Sequence, residues 1–151
     1  MRALVLFDSQ YGNTERVARA IARGLEPHGV VRVSSVARQG TASLEADLLV
    51  VGSPTQVHGM GRHELHHLLE HLTAEALDGV SAAAFDTRVH GPVGLTGSAA
   101  TGLAKRLRAR GARLIVPVES FIVEGREGPL VDGEEQRAEA WAEAIARAYL
   151  P

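Results

Sequence analysis

Residues 3–14 read Ala3-Leu4-Val5-Leu6-Phe7-Asp8-Ser9-Gln10-Tyr11-Gly12-Asn13-Thr14. Five unbroken apolar residues describe a strand buried on both faces, as in a parallel sheet. The polar stretch after them contains a glycine. It gives way to Val17, Ile21 and Leu25 at four-residue spacing, with Arg16, Arg19, Arg23 and Glu26 on the opposite side. That pattern is an amphipathic helix lying on one sheet face.

Working outward, Val30–Val33, Leu48–Val51, Val80–Phe85 and Leu114–Val118 read as four more strands. A helix is expected over residues 62–71, with Leu65, Leu68, Leu69 and Leu72 as its buried stripe. Another starts after Ser98 as amino-terminal cap, buries Leu103, Ala104 and Leu107, and stops at Gly111. The last runs from Glu134 to Tyr149, with Ala138, Trp141, Ala142, Ile145 and Tyr149 inward. Val36 to Ala46 leaves room for a short helical turn only. Strands alternating with helices imply right-handed crossovers and an α/β fold, a three-layer doubly wound sandwich around a five-stranded parallel sheet. Ligands of such folds sit beyond the carboxyl ends of the strands, which directs attention to residues 8–14, 52–61 and 86–97.

A chain of 151 residues is the size of one domain, so a single domain over residues 1–151 is expected. Hydrophobic residues at 45% and charged residues at 23% are globular values, and no apolar run reaches the length of a membrane span. The absence of cysteine excludes disulfides, thiolate metal sites, iron–sulfur clusters and thiol nucleophiles, so redox chemistry would need a bound cofactor. Ala3–Phe7 is too short for a secretory signal, and a cytoplasmic location is expected. A formal charge of −2 gives no global field toward nucleic acid or an anionic membrane, and neither partner is expected. Lys105, Arg106, Arg108, Arg110 and Arg113 read as a solvated helix face.

The first segment combines the Ser9 and Thr14 hydroxyls, the Asn13 amide and free backbone N–H groups at the positive end of a helix dipole. That is an anion site, most naturally for a phosphate. Gly12 lets the backbone approach the ligand closely. No Lys, no Gly-x-Gly-x-x-Gly and no Gly-Lys-Ser/Thr is present, which argues against dinucleotides and nucleoside triphosphates. The same residues also describe a plain strand-to-helix turn capped by Asn13, and residue types alone do not separate the two.

With Ser9-Gln10-Tyr11-Gly12-Asn13-Thr14 in this position and Gly52-Ser53-Pro54-Thr55 after the third strand, the chain resembles the flavodoxin family. The likeness continues through Phe85-Asp86-Thr87-Arg88 and Gly97-Ser98-Ala99-Ala100, with the carboxyl-terminal spacing of short-chain members. The resemblance implies strand order 2-1-3-4-5 and an FMN cofactor. Ser9, Gln10, Tyr11, Gly12, Asn13 and Thr14 would hold its phosphate. Pro54, Thr55, Gln56, Val57, His58 and Gly59 would flank the ring on one side, and Thr87, Arg88 and His90 on the other. A peptide of the second loop can reorient in that family toward reduced flavin N5, and His58–Gly59 is the corresponding element. Electron transfer to a redox partner protein or a small-molecule acceptor follows as the expected role, with a carrier favoured over an enzyme.

Two departures stand out. Residues 54–61 and 86–97 contain no Phe, Tyr or Trp to sandwich the flavin. Two lost aromatic contacts weaken binding by roughly ten- to a hundred-fold, leaving Val57, His58 and His90 to cover the ring. The near-balanced charge also differs from the strongly acidic carriers of the family. The alternatives are therefore an FMN-dependent reductase or oxidase acting on quinones or a porphyrinogen, or a flavin-free binding or regulatory module.

His63-Glu64-Leu65-His66-His67 satisfies His-Glu-x-x-His, the zinc-protease signature. On a helical wheel, however, His63, His67, Glu70 and His71 fall opposite the leucine stripe and face water, so no metal site is expected. Gly52 and Ser53 stand where a receiver domain needs its phosphorylatable Asp, and no Gly-x-Ser-x-Gly elbow supports a hydrolase. Asp86 and Arg88 fit either a loop ion pair or contacts with the flavin edge.

Overall fold

A computed structural model describes residues 1–39, 44–55, 64–92 and 98–149. Its strands are β1 (Arg2–Phe7), β2 (Val30–Ser35), β3 (Leu48–Pro54), β4 (Ser81–Val89), β5 (Arg113–Leu114) and β6 (Glu119–Val123). The helices are α1 (Asn13–Leu25), α2 (Val36–Gln39), α3 (Glu64–Glu70), α4 (Ala99–Ala109) and α5 (Glu134–Ala148). The strands pair in parallel in the order β2-β1-β3-β4-β5, and β6 also pairs with β4. Among the described residues no helix is long and apolar enough to cross a membrane.

The continuous apolar strands build two cores because successive side chains point to opposite faces. Ala3, Val5 and Phe7 of β1, Leu48 and Val50 of β3, and Ala83 and Phe85 of β4 face α1 and α5. Leu4, Leu6, Leu49, Val51, Ala82 and Ala84 face α3 and α4. The predicted stripe of α3 holds: Leu65 and Leu69 are buried, and Leu68 and Leu72 pack against the same cluster. Arg62 and His63, the start of that predicted helix, lie outside the described residues.

The expected fifth strand, Leu114–Val118, is corrected. Arg113–Leu114 pairs with Ser81–Ala82, and Glu119–Val123 pairs with Phe85–Val89. The apolar run straddles the break between them, where Pro117 has no N–H to donate. β6 escaped the pattern because it opens with Glu119 and Ser120, and only Phe121 and Val123 are buried. β4 also outruns its predicted end, so Asp86, Thr87 and Arg88 are strand residues rather than loop residues.

The outer side of β6 is covered. Ile122 N–H donates to Glu134 Oε2 at 2.7 Å, and Val131 N–H donates to the Ile122 carbonyl at 2.9 Å. Arg137 donates to Glu134 and to the Ser120 carbonyl, and its guanidinium lies 4.6 Å from the Phe121 ring centroid. Hydrogen bonds from Arg137 hold the Glu134 carboxyl below its ordinary range, with burial opposing and the Ile122 amide helping. The same partnership raises Arg137.

Helices α1 and α5 touch closely. A Cβ on Gly24 would sit 2.7 Å from Ala142 Cβ and 2.8 Å from the Glu139 carbonyl oxygen. Arg16–Glu135 at 3.3 Å, Arg23–Glu139 at 2.9 Å and His28–Glu143 at 3.0 Å line the seam. Each such exposed pair contributes about 0–1 kcal/mol, so the seam is held mainly by its packing.

Candidate functional site: an open helix terminus beside a closed one

Helices α1 and α4 begin beyond the carboxyl ends of β1 and β4, and the first-turn amides of a helix have no acceptor of their own. In α4 every one of these amides has a side-chain partner. Ala99 N–H donates to Thr55 Oγ1 at 2.9 Å, Ala100 N–H to Asp86 Oδ2 at 3.1 Å, and Thr101 N–H to Ser98 Oγ at 3.4 Å. Ser98 Oγ in turn donates to Asp86 Oδ2 at 2.8 Å. Ser98 is the amino-terminal cap its sequence position predicts.

The α1 terminus is the opposite case. Its cap is Gly12, in left-handed geometry with φ 89° and no side-chain hydrogen bond to the helix. The alternative of a plain turn capped by Asn13 is not what forms. Asn13 is the first helical residue, and its side-chain amide donates to the Glu127 carbonyl at 3.1 Å. That bond points the amide at the turn following β6 instead of into the anion loop. Gly128 of this turn fits against Asn13 so closely that a Cβ there would come within 2.6 Å of its side chain.

Among the described residues, its chain neighbours aside, nothing lies within 4 Å of where a Cβ on Gly12 would stand. Ser9 Oγ accepts from Gly12 N–H at 3.1 Å and shapes the turn. Thr14 is buried in the first turn of α1, and its Oγ1 lies 2.8 Å from Thr87 Oγ1 of β4. Gln10 and Tyr11 are exposed on the rim. No lysine or arginine occurs in residues 8–14, so positive potential here comes from the helix dipole, about half a unit charge.

The second and third segments meet this loop. Asp8 N–H donates to the Gly52 carbonyl at 3.0 Å, and Thr55 N–H to the Thr87 carbonyl at 2.8 Å. Pro54 and Thr55 are half-buried at the end of β3. Gln56, Val57, His58 and Gly59 lie outside the described residues. Arg88 donates from Nη1 to the Gly91 carbonyl at 2.7 Å, bracing the turn that carries exposed His90. Asp86 is a fully buried strand residue bonded to Ser98 and Ala100, so the loop ion pair with Arg88 gives way to a structural cap. Its Oδ1 is buried without a hydrogen-bond partner.

These features fit a phosphate-bearing ligand at α1: an uncapped helix terminus, a side-chain-free approach at Gly12, and hydroxyls without a competing cation. A model of the family described as flavodoxin matches residues 5–141. The chain belongs to the flavodoxin family. Members of this family bind FMN and transfer electrons to redox partners.

Solved flavodoxins share the fold over the full length. Oxidised flavodoxin 1 from Bacillus cereus is 21% identical, with each chain covered to 100% and a TM-score of 0.80. Flavodoxin 2 of the same organism is 24% identical, covering 99% of this chain and 100% of its own, with a TM-score of 0.79. A flavodoxin, WrbA-like protein from Agrobacterium tumefaciens is 18% identical, covering 97% and 95%, with a TM-score of 0.75. No curated protein sequence matches.

The turn from Glu124 to Pro129, which accepts the Asn13 amide, was not singled out by sequence reasoning. Its signal was present in Gly125-x-x-Gly128-Pro129, which marks a turn beyond a strand end. Of the residues expected to face water on the helix bearing the zinc-protease motif, His67, Glu70 and His71 are exposed, and Glu70 is bonded to Arg106 at 2.8 Å. Among the described residues no group of three or more His, Cys, Asp or Glu could hold a metal, and His63 lies outside them.

Proposed function

We propose that this flavodoxin binds FMN with its phosphate at the α1 terminus and serves as an electron carrier between a donor and an unidentified redox partner protein or small-molecule acceptor. The observation that carries this reading is the contrast between the saturated α4 terminus and the open α1 terminus. The α1 terminus has no side-chain cap and lies beside the Ser9 and Thr14 hydroxyls, whereas α5, whose cap Gly133 likewise makes no side-chain bond, opens with the carboxylates of Glu134 and Glu135.

FMN, when bound, supplies one- and two-electron transfer. The protein's part is binding and placement. Ser9 and Gly12 shape the loop, the first-turn amides of α1 and the Thr14 hydroxyl bind the dianion, and Asn13 fixes the loop against the turn after β6. Pro54, Thr55, Thr87, Arg88 and His90 bring the second and third segments beside it, with Gln56, Val57, His58 and Gly59 completing the ring site.

The test is a titration of purified protein with FMN and with riboflavin, followed by absorption spectroscopy and calorimetry, then an assay for turnover with NAD(P)H and a quinone. Tight FMN binding, weaker riboflavin binding and no turnover are expected. Turnover would replace the carrier with an FMN-dependent reductase, and failure to bind FMN would leave a flavin-free module on this fold.

A further inference from the structure

The Thr14 and Thr87 hydroxyls form a buried pair. They come from residues 73 apart in sequence, lie 2.8 Å apart, and belong to side chains 2% and 3% exposed. In its row across the sheet Thr87 stands between Pro54 of β3 and Phe121 of β6, neither of which has a polar side chain. Along β4, the neighbours on the same face are Phe85 and Val89, both apolar. Thr14 is therefore the partner that satisfies the Thr87 hydroxyl, and within the pair either oxygen can be the donor.

An anion removes that freedom. A hydroxyl carries one proton, and the oxygens of a phosphate dianion only accept. Thr14 can donate to the phosphate and keep its bond to Thr87 only if its own oxygen accepts the proton of Thr87. Resting on the FMN reading above, we propose that Thr87 is a positioning residue for the cofactor phosphate. It acts through Thr14, donating to it and so turning the Thr14 proton toward the dianion. Burial in apolar surroundings strengthens the two-bond chain Thr87 to Thr14 to phosphate, because each bond polarises the next and no water competes. The family resemblance implies Thr87 beside the flavin ring. The hydroxyl pair assigns it to the phosphate end instead.

The experiment compares FMN and riboflavin affinities of flavin-free wild type, Thr87→Val, Thr87→Ala and Thr87→Ser by calorimetry, with inorganic phosphate as a competitor of FMN. Loss of one charge-assisted chain is expected to weaken FMN binding about tenfold in Thr87→Val and Thr87→Ala. Riboflavin affinity should stay unchanged, and Thr87→Ser should restore FMN affinity. Inorganic phosphate should compete with FMN less effectively in Thr87→Val than in the wild type.

Equal losses for FMN and riboflavin would overturn the proposal in favour of a packing role, and so would failure of Thr87→Ser to rescue. Unchanged FMN affinity in Thr87→Val and Thr87→Ala would also overturn it while leaving the FMN reading intact. A wild type that binds FMN no better than riboflavin would remove the phosphate cradle itself. If Thr87→Val fails to fold, Thr87→Ala, which adds no bulk, decides between these outcomes.

Discussion

Two glycines near the strand ends are required for different reasons, and their alanine variants should behave differently. Gly12 stands at φ 89° with no described residue beyond its chain neighbours within 4 Å of an added Cβ, so the strain falls on the backbone. Gly12→Ala is expected to cost about 1–3 kcal/mol, read from the urea midpoint, with Trp141 emission unchanged. Gly52 sits under the Phe85 ring, whose atoms would lie 2.0–2.3 Å from a Cβ. Gly52→Ala must therefore push Phe85, which meets Phe121 at 6.0 Å and Trp141 at 6.1 Å between ring centroids. A loss of about 1–3 kcal/mol from overpacking should here be accompanied by a shift in Trp141 emission. The same shift in both variants would show that the turn at Gly12 and the aromatic cluster are coupled.

At the scale of elements, Asp86→Ala leaves the Ala100 amide and the Ser98 hydroxyl without their shared acceptor. The expected cost is about 1–3 kcal/mol in urea unfolding with an unchanged denaturant slope, since a buried cap is lost but the fold persists. A change within about 0.5 kcal/mol would mean that water replaces the carboxylate. Along the β6 edge, Glu134 has a folded pKa below its unfolded one, because Arg137 and the Ile122 amide favour its ionised form. That contribution to stability is complete above the unfolded pKa and disappears as pH falls through the folded pKa. The stability gap between wild type and Glu134→Gln should therefore close on acidification below about pH 4.5. A gap that stays constant in urea melts as the pH is taken from neutral to well below 4.5 would refute the assignment. The elements legible in the sequence were those whose burial is local in pattern. Ala3–Phe7 and Leu48–Val51 are apolar without interruption, and α1 repeats its stripe every four residues. Long-range partners decide the rest. Glu119 and Ser120 start a strand because β4 continues to Val89, and Asn13 abandons the cap because Glu127, 114 residues away, takes its amide. Asp86 looked like a loop residue because a charge ended an apolar run, whereas its acceptor oxygen is matched by groups 12 and 14 residues downstream.

For the whole molecule, a ligand that binds only the folded state raises its stability by mass action. FMN at a hundred times its dissociation constant should add about 2.7 kcal/mol, which for a domain of this size raises the melting temperature by roughly 5–11 °C. Riboflavin at the same concentration should produce a smaller rise, and equal rises would place the binding energy in the ring instead of the phosphate. The formal charge of −2 predicts a second electrostatic property. Electron transfer to a strongly basic acceptor should slow only slightly between low and physiological salt, where an acidic carrier would slow steeply. The seam between α1 and α5 bears on how a ligand arrives. Close contact at Gly24, ion pairs along the flank and the Asn13 bond at the front pin the helix that bears the cradle at both ends and in between. A receptor clamped in this way is ready before its guest comes, so capture should proceed in a single kinetic phase whose rate climbs linearly with concentration and reaches no plateau.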